Sequence, residues 1–159
     1  MKTLYTIFPF AKKLTYRKKS IRTFISRVLG PKKRMPLSEN DYNRLITVLR
    51  KEKKKGQIKN SRLVKFRYIL KKADIIPIGL VPMRLITMNS NFIVKTARRG
   101  LIKLSIVYPE DADKAKGRIS VFSWLGMTLL GREEDETIMN NIYIQRILYQ
   151  PEARSDFHL

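Results

Sequence analysis

The sequence predicts an α+β protein: a short antiparallel helical hairpin, then a small antiparallel sheet wrapped around one short helix, with a basic extension in front. Three observations predict it. Apolar residues recur at helical spacing on both sides of Gly56. Beyond Pro77 the pattern changes to short β-rich runs divided by turn residues. The charge is also divided. The net charge is +21 over 159 residues, yet residues 73–159 contribute only +1. A run of helices followed by a run of strands is the signature of segregated α+β layers.

The extension, residues 1–35, holds 11 Lys/Arg and no Asp or Glu. Within it Ile21, Phe24, Ile25, Val28 and Leu29 follow helical spacing, with cations on the other face. That is a basic amphipathic helix, closed off by Gly30, Pro31 and Pro36. It admits two readings: a helix or arm belonging to the body of the protein, or a contact with nucleic acid or an anionic membrane. The composition also resembles an organellar transit peptide. Leu4–Ala11 is too short and too Pro-interrupted for a good signal peptide, and no apolar run approaches a membrane span.

The hairpin, residues 36–76, opens at Ser38, an N-cap residue with Asp41 three positions on, close to a capping box. Tyr42, Leu45, Ile46 and Leu49 form one apolar stripe, which resumes after Gly56 at Leu63, Phe66, Ile69, Leu70 and Ala73. Two arms of about 15 residues would each be about 20–25 Å long. Lys53, Lys54, Lys55, Gln57, Lys59, Asn60 and Arg62 cluster at the tip. Such a tip is either a solvated face or a surface for phosphates or acidic side chains. Phe66 and Tyr68 lie among cations, but Phe66 belongs to the core stripe.

The third segment, residues 77–159, reads as strands at Leu85–Met88, Phe92–Thr96, Leu101–Tyr108, Arg118–Phe122, Ile138–Ile142 and Tyr143–Tyr149. "TARRG", Thr96–Gly100, is a hairpin turn, and "SWLGMTLLG" fits one or two helical turns. Met127, Leu129 and Leu130 are expected in the core. Glu110, Asp111 and Asp113 are expected to cap or border the sheet, and Glu133–Glu136 to form a solvated acidic turn.

Several chemistries are excluded or disfavoured. The chain has no Cys, so disulfides and thiolate zinc sites cannot form, and a reducing, cytoplasmic setting suits it. His158 is its one histidine, so no His-based triad or multi-His metal site can be built. No catalytic residues, metal ligands or cofactor are expected.

Four motifs carry a resemblance. "ITMNS" (Ile86–Ser90), "LSIVYPEDADKAKGRISVFSWLGMTLLG" (Leu104–Gly131), "LLGREEDE" (Leu129–Glu136) and "YQPEARSDF" (Tyr149–Phe157) follow one another along the chain, the second and third overlapping. Together they resemble the bacterial Gre-type transcription factors, nearest to the Rnk branch, over residues 37–159. The resemblance implies an FKBP-like half-barrel behind the hairpin. It implies RNA polymerase as partner, with the half-barrel docked at the rim of the secondary channel and the hairpin directed inward. It places the docking patch at Phe122, Ser123, Trp124 and Leu125. It also implies that a cleavage factor's tip would carry two acids, which help hold Mg²⁺ at the polymerase active centre.

Three departures matter. If "GQIKN" occupies the tip, Gln57 and Asn60 stand where the acids belong, and the cations around them repel a metal. Trp124 replaces a usual Pro. The extension has no counterpart in the family. The expected function is therefore a non-enzymatic, monomeric, polymerase-binding regulator that does not stimulate transcript cleavage, with nucleic-acid contact through the arm and tip. The competing readings are a stand-alone RNA- or ribosome-binding module on the same fold, and a prolyl isomerase. The latter lacks any sign of an aromatic-lined pocket.

Overall fold

The computed structural model describes residues 34–138 and 141–156. The extension reading of residues 1–33 therefore lies outside the described residues. Strand β1 (Pro36–Ser38) leads into helix α1 (Glu39–Lys55), followed by α2 (Asn60–Lys71) and β2 (Asp74–Ile76). Ser38 holds an extended backbone, and its Oγ accepts the Asp41 N–H at 3.2 Å, so the first turn is capped as its sequence suggests. The Asp41 carboxylate does not close a capping box. It is buried and accepts the Met88 N–H at 2.9 Å instead.

Leu45 and Leu49 of α1 are buried, as are Leu63, Phe66, Ile69 and Leu70 of α2. Gly56 ends α1 at φ 69°, a left-handed conformation that costs a side chain about 1–2 kcal/mol. Its N–H closes onto the Glu52 carbonyl at 3.1 Å. The arms are unequal: 17 residues in α1 and 12 in α2, or about 25 and 18 Å. A parallel pairing that the sequence did not reveal ties the foot of the hairpin together, with Pro36, Leu37 and Ser38 opposite Asp74, Ile75 and Ile76. Strands of three residues carry too little periodicity to be read.

The remaining elements are β3 (Asn91–Thr96), β4 (Gly100–Val107), β5 (Arg118–Ser120), α3 (Trp124–Leu129), β6 (Thr137–Ile138) and β7 (Ile142–Tyr149). They form one five-stranded sheet in the order β5-β4-β3-β7-β6. Only β4–β5 is parallel. Bulges where β3 meets β7 add local twist and help curl the sheet into a half-barrel. Phe92, Val94, Leu104, Ile106 and Ile144 are buried on its inner face, against Met127 and Leu129 of α3. Gly126 permits this approach: a Cβ there would lie 2.3 Å from the Ser120 carbonyl oxygen.

Three expected strands change. Leu85–Met88 is buried but turns rather than pleats, with one isolated bridge from Leu85 to Glu133. Gln150 Nε2 satisfies its turn by donating to the Pro82 and Leu85 carbonyls at 2.9 and 2.8 Å. Its apolar character reflects burial, which periodicity cannot separate from a strand. Arg118–Phe122 stops pairing at Ser120, because Val121 and Phe122 turn into the core. Ile138–Ile142 is split between β6 and the start of β7.

Candidate docking turn and hairpin tip

The hairpin and the sheet share one hydrophobic core. Its joint is Phe66 of α2 against Phe122, edge to face, with ring centroids 4.9 Å apart at 71°. Phe122 is 2% exposed, so it cannot present a docking surface as expected. The rest of that predicted patch is differently placed. Ser123 caps α3, its Oγ accepting the Gly126 N–H at 3.0 Å. Leu125 is half-buried against the core. Trp124 is 42% exposed, and it stands at the first position of the capped helix α3. Of the patch's side chains, Trp124 is the exposed one, with Ser123 and Leu125 half-buried beside it.

At the tip, Lys53, Lys54, Gln57, Lys59, Asn60 and Arg62 are exposed, while Ile58 packs inward. Lys59 is the N-cap of α2 but makes no side-chain cap. Glu52, the acid nearest the tip, is 2% exposed and paired with Lys55 at 3.3 Å. Its carboxylate is turned inward and is not offered to a metal. No group of three potential metal ligands occurs among the described residues.

A contact that sequence reasoning missed ties α1 to the short helical turn Pro109–Asp111 that follows β4. Lys51 Nζ and Lys55 Nζ both donate to Glu110 Oε1, at 2.7 and 2.8 Å. These two hydrogen bonds, and the charges behind them, draw the Glu110 carboxyl down to about pH 2 and raise the Lys55 ammonium. The sign of the signal was present: Lys51 and Lys55 are four apart on one helix face. Their partner, 55 residues beyond Lys55, was not legible. Between α1 and Tyr108–Asp111 lies a cleft of about 580 Å³ that includes Arg44, Thr47 and Glu52.

A second missed group is the polar cluster where α1 meets the Leu85–Ser90 turn. Burial pushes the Asp41 carboxyl up to about 7, against the Met88 N–H that lowers it and with nearby Glu152 adding to the rise. Burial also raises the Tyr108 phenol, with Asp41 and Glu152 contributing and Arg44 opposing. Glu152 accepts the Thr87 hydroxyl at 2.7 Å, and Thr87 and Ser90 hydroxyls meet at 2.9 Å.

The acidic run beyond α3 is not simply solvated. Glu134 accepts the Ile147 N–H at 2.5 Å and pairs with Arg84 at 3.4 Å. Asp135 accepts the Tyr143 phenol at 2.6 Å and pairs with Arg84, while Arg132 and Glu136 pair at 3.2 Å. The run staples the Arg84 turn to β7, which leaves it no free ligand set. Asp113 does border the sheet, accepting the N–H groups of Ala115 and Lys116 at 3.0 and 3.3 Å. No helix among the described residues is long and apolar enough to cross a membrane.

No family model matches the chain, and no curated protein matches it. Solved structures do. A prokaryotic transcription elongation factor GreA/GreB from Nitrosomonas europaea superposes at a TM-score of 0.60, with 22% identity, over 74% of this chain and 100% of that one. GreA factor homolog 1 (Gfh1) of Thermus thermophilus overlaps only partially, at a TM-score of 0.37 and 17% identity, covering 74% of this chain and 100% of its own. The chain thus has the Gre-type fold, a helical hairpin joined to a curled half-barrel sheet.

Proposed function

We propose that the chain is an RNA polymerase-binding transcription regulator of Rnk/Gre type that does not stimulate transcript cleavage. The fold shared with the Nitrosomonas europaea elongation factor supports polymerase as the partner. The observation that carries the second half is the tip itself. Gln57 and Asn60 are exposed amides, Glu52 is buried under Lys55, and the surrounding side chains are cations. A hard divalent ion needs oxygen anions there, and this tip repels it. The hairpin is also short, and its α1 arm is tied by Glu110 to the turn after β4 rather than free along its whole length.

In this reading the half-barrel docks through Trp124 and the adjoining face of Leu125. The Lys53–Arg62 tip then meets phosphates or acidic side chains at the polymerase channel, where Coulomb attraction and counterion release favour it. The arm, residues 1–35, adds a further cationic contact. The test is an affinity capture from lysate with and without nuclease. Polymerase subunits retained after nuclease treatment support the reading. Ribosomal or RNA-linked material lost on nuclease treatment, with no polymerase, supports a stand-alone RNA-binding module instead.

A further inference from the structure

We propose that the convex face of the five-stranded sheet is a binding surface for single-stranded nucleic acid, separate from both the hairpin tip and the Trp124 turn. Strand register places two rows of side chains side by side on that face. Leu101, Lys95 and Tyr143 form one row, and Lys103, Ile93 and Arg146 form the next. Phe92, Val94, Leu104 and Ile144 are buried on the inner face. Side chains alternate along a strand, so residues 93, 95, 101 and 103 point outward. Their accessibility agrees: Lys95, Leu101, Lys103 and Arg146 are exposed, and Ile93 and Tyr143 are half-buried. The β3–β4 turn carries exposed Arg98 and Arg99 at the edge of this face.

The charge on this face is uncompensated. None of Lys95, Arg98, Arg99, Lys103 and Arg146 has an acid partner among the described residues. Around the sheet other cations are paired: Arg118 of β5 with Asp113, and in the flanking turns Arg84 with Glu134 and Asp135 and Arg132 with Glu136. Asp135, which meets the face at the Tyr143 phenol, is already engaged by that phenol and by Arg84. Neighbouring strands are about 4.8 Å apart and same-face residues on a strand about 6.6 Å. Several of these cations therefore lie within a Debye length of about 8–10 Å of one another and repel. A polyanion relieves that repulsion.

The apolar groups between the cations choose among polyanions. Ile93, Leu101 and the ring of Tyr143 give bases a surface to lie on, while the cations meet the backbone. An acidic peptide offers charge without that planar apolar component. A duplex fits poorly, since three strands with their side chains are broader than a major groove of about 12 Å.

The test uses the full chain and a fluorescein-labelled 12-mer of uridine, read by anisotropy over a salt series. A triple variant, Lys95→Glu with Lys103→Glu and Arg146→Glu, is compared with a tip variant, Lys53→Glu with Lys54→Glu and Lys59→Glu. Each single-strand phosphate contact contributes about 0.7 to the salt slope, so the sheet triple variant should lower the slope by about 2. Its affinity should fall at least tenfold, and 5-iodouridine should crosslink to the β3, β4 and β7 segment that holds Tyr143. If the Glu triple variant loses its circular dichroism spectrum, the corresponding Gln triple variant carries the same comparison. An unchanged slope, crosslinks confined to the hairpin, or equal affinity for polyglutamate or phosphatidylglycerol vesicles would overturn the proposal.

Discussion

Glu110 accepts hydrogen bonds from Lys51 and Lys55 through one carboxylate oxygen, so a single acid in the short helical turn after β4 holds two successive turns of the hairpin's longer arm. These side chains are largely exposed, which makes the contact sensitive to salt and easily broken by a partner. It ties the end of α1 nearest the tip to the loop after β4, outside the core that hairpin and sheet share.

Replacing Glu110 with Gln should therefore release the end of α1 without unfolding the protein. Spin labels at Lys54 and Ala115 should show one narrow distance distribution in the parent and a broader one in the variant. The pH dependence follows from the lowered carboxyl. Glu110 is ionised in the fold down to about 2, below its ordinary 4.5. The stabilisation is complete above the ordinary value and lost as pH falls through the lowered one. The distribution should stay constant from pH 8 to pH 5 and broaden only in acid.

Asp41 has the opposite sign. Its carboxyl is raised from 3.8 to about 7 by burial, so the folded state binds the proton more tightly than the unfolded chain. Stability should fall as pH rises from about 4 to 7 and level off above, by at most about 4 kcal/mol at 1.36 kcal/mol per unit. Asp41→Asn keeps an acceptor for the Met88 N–H and should flatten this part of the profile. Urea midpoints at pH 5 and pH 8 check it. A parent protein equally stable at both would contradict the assignment.

Phe122→Ala should cost about 3–5 kcal/mol, because it empties a fully packed site and removes the edge-to-face partner of Phe66. The loss should appear in the sheet and the hairpin together, since they share one core. Denaturant unfolding followed separately by the fluorescence of Trp124, which lies in the sheet half, and by helical dichroism tests this. Two separated transitions in the parent protein would show that the joint is weaker than its geometry implies.

Trp124→Ala should behave differently. With Trp124 42% exposed, the substitution should change stability by about 0.5 kcal/mol or less. It should weaken polymerase binding by about 2 kcal/mol if the ring is a buried anchor in the complex. Unchanged affinity in the folded variant would remove this turn from the interface.

The hairpin was legible because two apolar stripes, a Ser38 cap and Gly56 each carry a local signal. So were β3, β4 and β7, whose lengths allow alternation to show. The β1–β2 pairing was hidden by its brevity, and the Leu85–Met88 turn by uniform burial. The candidate site was half readable. Lys53–Arg62 appears as a charge cluster in any reading of the sequence. That Phe122 turns inward while Trp124 turns outward depends on Phe66, 56 positions earlier, and that Glu110 meets Lys51 depends on how the sheet folds back. Such choices are made by tertiary packing, which neighbouring residues do not encode.

The claim that this tip occupies a polymerase channel without delivering a metal is tested most directly on a stalled, backtracked elongation complex in Mg²⁺. Purified protein is added alone and together with a Gre-type cleavage factor, and the rate of transcript shortening is followed. The predicted result is no acceleration by the protein alone and a slower rate when it competes with the cleavage factor. Cleavage accelerated by the protein itself would contradict it, and would mean that a carboxylate such as Glu52 leaves its buried pairing to reach the metal.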